Sequence, residues 1–192
     1  MRKLKLQMNM TLDGFVGGPE GQLDWMTGEM EEKQLNALFE LTDSMDTIIM
    51  GRKMTAGFTQ YWEEMVNNQP DNPEFPYAKM FVDTPKIVFS KTQKHIDGKN
   101  VTVENGDLLN SVNKLKHQEG KDIIVYGGAN FVSQLIKNGL IDELYLFINP
   151  VVIGNGLSIF KERFNFELIS SEAFESGVMM NKYKQLPGQT AG

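Results

Sequence analysis

The chain has 192 residues, 41% of them hydrophobic and 23% charged, the make-up of a folded globular protein and not of a disordered one. Nineteen Lys and Arg against 25 Asp and Glu leave a net charge of −6, which argues against a broad nucleic-acid-binding face but leaves room for a basic pocket around one small anion. There is no cysteine, so disulfides, thiolate nucleophiles and Cys-held zinc or iron–sulfur clusters are excluded. Two dispersed histidines, His95 and His117, do not make a metal site. The expectation is a cytoplasmic protein without metal, nucleic-acid partner or membrane span.

At the N-terminus Leu4, Leu6, Met8 and Met10 alternate with Lys5, Gln7 and Asn9, a period of two that predicts a strand and not a signal peptide. Residues 13–21 hold Gly14, Gly17, Gly18, Gly21 and Pro19, the composition of a mobile loop that lets another molecule approach the backbone. A helix is predicted over 29–43, with Leu35, Leu38, Phe39 and Leu41 broadly on one face. The apolar run Thr47, Ile48, Ile49, Met50 predicts a buried strand, ending at Gly51, Arg52, Lys53 where a short helix begins. Residues 62–85 hold Pro70, Pro73, Pro76 and Pro85 and read as an irregular surface excursion. Strands follow over 86–90 and 100–104, then a helix carrying Leu108, Val112 and Leu115 with Asn105 or Asp107 as its cap. A second buried strand over 122–126 stops at Gly127 and Gly128, and a helix over 129–138 buries Phe131, Leu135 and Ile136. A strand over 142–149 precedes strands over 166–173 and 177–185, joined as an antiparallel hairpin through Glu175, Ser176 and Gly177. The reading is one domain over 1–185 with a loose tail over 186–192.

Strands alternating with helices, then a hairpin, imply an α/β fold. Its sheet is mostly parallel, with helices on both faces and an antiparallel C-terminal edge. Ligands of such sheets bind beyond the carboxyl ends of the strands. Three segments fall at such ends: Gly51, Arg52, Lys53; Ser90, Lys91, Thr92; and Gly127, Gly128, Ala129. Glycines between a strand and a helix remove side-chain bulk where the helix offers unpaired N–H groups and a partial positive charge, a place for phosphate or simply a tight turn. Together the three describe an edge able to hold a pyrophosphate and a further phosphate, as in a nucleotide or an inositol phosphate. Acid–base groups are scarce. Glu29, Glu31 and Glu32 open a helix, where they oppose its dipole, and Trp25 is either a core aromatic or a flat wall for a heterocycle. Phosphate sites with few acid–base groups suit hydride transfer, in which the cofactor carries the chemistry.

The order of these segments resembles the dihydrofolate reductase-like superfamily, specifically the reductase domain of the riboflavin-biosynthesis deaminase-reductase, here as a stand-alone chain. The residues that carry the resemblance run from Thr11, Leu12, Asp13, Gly14, Phe15, Val16 through Trp25, Met26, Thr27 and Ile48, Ile49, Met50, Gly51, Arg52. Val88, Phe89, Ser90 and Val125, Tyr126, Gly127, Gly128, Ala129 continue it, and Ile141, Asp142, Glu143, Leu144 with residues 150–156 complete it. By that resemblance Gly51, Arg52, Lys53 and Met54 would flank the adenosine half of NADPH, with Ser90, Lys91 and Thr92 near its 2′-phosphate. Tyr126, Gly127, Gly128, Ala129, Asn130 and Phe131 would cover the pyrophosphate, and Val16, Gly17 and Gly18 would close over the nicotinamide. Trp25 would stand between cofactor and substrate. The candidate catalytic residues are Asp13, Trp25 and Glu31. The resemblance implies reduction of 5-amino-6-(5-phosphoribosylamino)uracil, with a dihydrofolate reductase or a non-catalytic nucleotide-binding module as alternatives. It also implies a homodimer, to which the apolar strand over 144–148 could lend a surface, and the cations imply a preference for NADPH over NADH. Two departures lie on the substrate side. The riboflavin-pathway enzymes usually carry an acid where this chain has Tyr126, and 55–65 lacks their Asp-Pro-containing stretch.

Overall fold

The computed structural model describes residues 1–26 and 30–186. Thr27 of the family pattern, Glu29 at the predicted helix start and residues 187–192 of the predicted tail lie outside the described residues. In chain order the elements are β1 (Leu4–Thr11), α1 (Glu32–Asp43), β2 (Met45–Gly51), α2 (Arg52–Asn68), α3 (Phe75–Asp83), β3 (Lys86–Phe89) and β4 (Val101–Glu104). They continue with α4 (Leu108–Lys116), β5 (Asp122–Val125), α5 (Ala129–Lys137), β6 (Glu143–Asn149), β7 (Phe166–Ala173) and β8 (Met179–Gln185). The strands form one sheet in the order β4-β3-β2-β5-β1-β6-β8-β7. All neighbours from β4 to β6 pair parallel, and β8 runs antiparallel to both β6 and β7.

The alternation in β1 sorts its side chains between two cores. Leu4, Leu6, Met8 and Met10 enter the core under α4 and α5, with Val112, Val132, Leu135 and Leu144. Lys5, Gln7 and Asn9 project to the other face, which α1, α2 and α3 cover with Leu38, Leu41, Trp62 and Phe81. Because β1 is central, its polar face is buried as well; Lys5 is satisfied there by Asp122 at 2.8 Å and the Ser44 hydroxyl at 2.7 Å.

Three expectations need correction. Residues 62–85 are not an irregular excursion: α2 extends to Asn68, and α3 buries Tyr77, Ala78, Phe81 and Val82. Pro76 sits in the first turn of α3, where a missing N–H breaks no helical hydrogen bond, so it opens this helix rather than forbidding it. The ring centroids of Trp62 lie 5.2 Å from Tyr77 and 6.0 Å from Phe81, and burial of such side chains stabilises by about 1.5–3 kcal/mol each. Helix α1 starts later than predicted, with Glu31 as its cap. Strand β6 offers no free edge, because β8 pairs along it from Glu143 to Ile148; the outer strands are β4 and β7. Asp107, one of the two predicted caps of α4, accepts the Asn110 N–H at 3.0 Å.

Candidate functional site

The carboxyl ends of the parallel strands align along one edge of the sheet, and α2 and α5 both begin there. The turn after β5 is bound to the end of β2, since the Gly51 N–H donates to the Gly127 carbonyl at 2.8 Å. Each glycine here has its own reason. Gly127 has φ +138°, and a Cβ on it would lie 2.7 Å from the Met54 sulfur. A Cβ on Gly51 would lie 2.6 Å from the Phe131 Cβ. Gly128 differs: φ −80° and ψ 176° suit any residue, and the nearest atom to a Cβ there is the Met54 Cβ at 4.0 Å. It follows Gly127 across a cis peptide bond, and beyond its chain neighbours no protein atom fills the space before its backbone, which leaves room for another molecule.

Both helices start without a side-chain cap, on Gly51 and Gly128, and neither has an acidic residue in its first turn. The leading N–H groups of Arg52, Lys53 and Met54 and of Ala129, Asn130 and Phe131 therefore meet at one place with their dipoles' positive ends. Arg52, Lys53 and Lys91 are exposed, and none of them forms an ion pair among the described residues. Ser90 is buried, and its hydroxyl accepts the N–H of Gln93 at 2.9 Å and of Thr92 at 3.3 Å, which fixes the turn that carries Lys91. Beside this turn a cleft of about 360 Å³ opens between the Ser90 turn, α4 and α5. Its apolar walls are Phe89, Phe131 and Leu108, its polar groups include Lys91, Glu104 and Gln134, and the two phenyl rings lie 5.2 Å apart. The two rings pack on each other and together offer one apolar wall against which a flat ring can lie. Glu104, Leu108 and Gln134 were not among the residues the sequence pointed to; the signal available was that Glu104 ends a strand, as Gly51 does.

The glycine loop after β1 is hydrogen-bonded to the segment that follows β6. Val16 N–H donates to the Leu157 carbonyl and Leu157 N–H to the Gly17 carbonyl, both at 2.8 Å. The Asp13 carboxylate accepts the Thr11 hydroxyl at 2.6 Å and the N–H groups of Ile153 and Gly154 at 3.1 and 2.8 Å. The Thr11 hydrogen bond holds Asp13 below the usual carboxylate range, so it ties two loops together as an anion. Gly18 packs on the Gln22 side chain.

Glu31 is turned to the hairpin, where both carboxylate oxygens accept the Glu175 N–H, at 3.0 and 3.1 Å. Trp25 is buried, and its indole N–H has no hydrogen-bond partner. The Tyr126 side chain points into the aromatic core, with ring centroids 5.8 Å from Phe58 and 5.9 Å from Phe81, so only its backbone borders the glycine turn. Burial pushes the Tyr126 and Tyr77 hydroxyls well above their ordinary range, and both stay neutral. The structure thus gathers Gly51 to Met54 with Gly127 to Phe131, sets Ser90, Lys91 and Thr92 beside the cleft, and spreads Asp13, Trp25 and Glu31 among separate tasks.

A parallel sheet with this order, its antiparallel hairpin and its glycine-lined edge define a dihydrofolate reductase-like α/β protein. The chain belongs to the RibD C-terminal domain family, whose model matches residues 2–180. It is 35% identical over 185 residues to the Bacillus subtilis protein YyaP, covering 95% of this chain and 94% of that one. It is 24% identical to the riboflavin biosynthesis protein RibD of Corynebacterium ammoniagenes, over 80% of this chain and 44% of that protein. Among solved structures it resembles the deaminase/5-amino-6-(5-phosphoribosylamino)uracil reductase of Thermotoga maritima, with a TM-score of 0.67 and 15% identity over 96% of this chain and 57% of that one. The family is one of reductases in riboflavin biosynthesis and its relatives. Among the described residues no helix is long and apolar enough to cross a membrane.

Proposed function

We propose that the protein is an NADPH-dependent reductase of a small heterocyclic substrate, of the kind that reduces 5-amino-6-(5-phosphoribosylamino)uracil. The observation that carries this reading is Gly128, whose backbone faces open space between two uncapped helix starts. The residues present fit the cofactor. Amides at the starts of α2 and α5 would take the pyrophosphate, and the cleft beside Phe89 and Phe131 would take the adenine. Arg52, Lys53 and Lys91 would take the 2′-phosphate. When bound, NADPH supplies the hydride. The chain's own part is to orient the cofactor along the strand ends and to cover it with the loop that Asp13 fastens. Asp13, held as an anion, does not deliver the proton.

The test is NADPH oxidation with 5-amino-6-(5-phosphoribosylamino)uracil, dihydrofolate and quinones in parallel. Turnover of the uracil compound supports the reading in full, and turnover of dihydrofolate alone moves the protein to the folate reductases. NADPH binding without turnover of any compound leaves a nucleotide-binding module.

The reading extends to a homodimer built on β7, one of the two outer strands of the sheet, where Leu168 and Ile169 are exposed. Light scattering that gives a mass near 21.7 kDa at high concentration rejects the dimer.

A further inference from the structure

The cleft beside the Ser90 turn carries a charge that phosphate binding does not explain. Phe131 joins this cleft to the glycine edge, since it lines the cleft and stands over Gly51, where a Cβ would meet its own at 2.6 Å. From there the cleft runs outward in strand order, from β2 past β3 to β4, the outermost strand. Lys91 follows β3 and Glu104 ends β4, so a cation lies nearer the phosphate site and a carboxylate farther out. The place of Glu104 is well fixed. It is in register with Phe89, so both side chains lie on the face that α4 and α5 cover. Its carbonyl accepts the Ser90 N–H at 3.0 Å, and the Asn105 side chain donates to the carbonyls of Ser90 and Gln93 at 2.6 and 2.7 Å. The Glu104 Oε1 accepts the Gly106 N–H at 2.6 Å, and a Cβ on Gly106 would lie 2.7 Å from that oxygen. Glycine at 106 thus makes room for the carboxylate. Among the described residues Oε2 accepts no hydrogen bond, and Glu104 has no ion pair.

An anion at the outer end of the cleft repels phosphate and calls for a hydrogen-bond donor. In an adenosine only the ribose hydroxyls and the exocyclic amine of the base donate. The ribose is joined to the pyrophosphate and stays at the inner end; the amine lies at the far end of the base. We propose that Glu104 is the residue that reads the base, its Oε2 accepting an N–H of the adenine amine while the ring lies on the wall of Phe89 and Phe131. The cleft then prefers adenine to a purine with a carbonyl at C6. This rests on the NADPH-dependent reductase reading and assigns a specificity-determining residue to its cofactor cleft. Gln134, one turn beyond Phe131 on α5, also lines the cleft, and its amide can donate to the neighbouring ring nitrogen N1. Hypoxanthine reverses both groups, with an acceptor at C6 and a donor at N1. Its carbonyl would face the carboxylate and leave that anion without its donor.

Calorimetric titration tests this with NADPH and with its hypoxanthine analogue, reduced nicotinamide hypoxanthine dinucleotide phosphate. Both are titrated into the unmodified protein and into Glu104→Gln, with a melting curve for each protein. The amide keeps an acceptor for the Gly106 N–H and turns a donor toward the cleft. The unmodified protein should bind NADPH about tenfold more tightly than the analogue. Glu104→Gln should bring the two within about twofold, with a melting temperature within a few degrees of the parent. Glu104→Ala should lose the preference too, through weaker NADPH. Equal affinities in the unmodified protein, or a preference that survives in the folded variants, overturn the inference and leave the reductase reading standing. Adenosine 5′-diphosphate and inosine 5′-diphosphate form a second pair that needs no nicotinamide site. If NADPH does not bind but the adenosine compound is preferred, and Glu104→Gln removes that preference, the reductase reading falls and the role of Glu104 stands. Binding of none of the four compounds to the unmodified protein overturns both.

Discussion

The two edges of the sheet use the same residue types in opposite ways. At the edge where the strands begin, cations are paired, and Arg2, Lys5 and Lys116 are buried as well. Arg2 binds Asp46 and Thr47, Lys5 binds Asp122 at 2.8 Å, Lys116 binds Asp142 at 2.7 Å, and Lys3 and Lys182 share Glu143 at 2.7 and 3.1 Å. Lys86, fully buried at the start of β3, donates to the carbonyls of Phe81, Val82 and Thr84 at 2.8, 3.0 and 2.8 Å and so caps α3. At the edge where the strands end, Arg52, Lys53 and Lys91 are exposed without ion pairs among the described residues, beside two uncapped helix starts. A buried cation that has its anion fixes structure; an exposed one without an anion is available to a ligand. The first edge holds the fold together, and the second is left open for phosphate.

The largest effect that breaks the comparison is at the closed edge. Lys86→Met should lower stability by about 3 kcal/mol, because three carbonyls at the end of α3 lose a charged donor in a dry place. Urea unfolding measures it, and NADPH affinity in the folded variant should not change. Next, Lys53→Ala with Lys91→Ala should leave stability within about 0.5 kcal/mol and weaken NADPH by about 1–2 kcal/mol, since exposed cations are screened. NADH, which lacks the 2′-phosphate, should bind with nearly unchanged affinity, and added salt should narrow the gap between the cofactors in the unmodified protein. Equal affinities for both cofactors at low salt would contradict the assignment of these cations.

The smallest effect is acid sensitivity. Burial pushes the Glu143 carboxyl up, but hydrogen bonds from Lys3, Tyr145 and Lys182 outweigh it and bring the group down to about 2. A carboxyl lowered by folding stabilises the protein above its ordinary value near 4.5, and that contribution is lost as pH falls through about 2. Circular dichroism should show Glu143→Gln less stable than the parent at pH 7, with the difference gone near pH 2.

Local pattern made the open edge legible. Gly51, Ser90 and Gly127 each end an apolar run, and a strand followed by glycine and a helix can be read from a few neighbouring residues. The closed edge was not legible, because its partners are remote in the chain; the Lys3 N–H and the Asp122 carboxylate are 119 residues apart. Helix α3 was hidden by the prolines around it, of which Pro76 opens the helix. Asp13 lay in the right loop, but its carboxylate is spent on backbone N–H groups of a segment far along the chain.

The account stands or falls on Gly128, the glycine at this edge whose backbone faces space that no protein atom beyond its chain neighbours fills. The most direct measurement is calorimetric titration of NADPH into the unmodified protein and into Gly128→Val, with a melting curve for each. The account predicts binding to the unmodified protein, at least about a hundredfold loss in the variant where valine fills the approach to the backbone, and melting temperatures within a few degrees of each other. Equal NADPH affinity in the two folded proteins would contradict it, and so would an unmodified protein that does not bind NADPH.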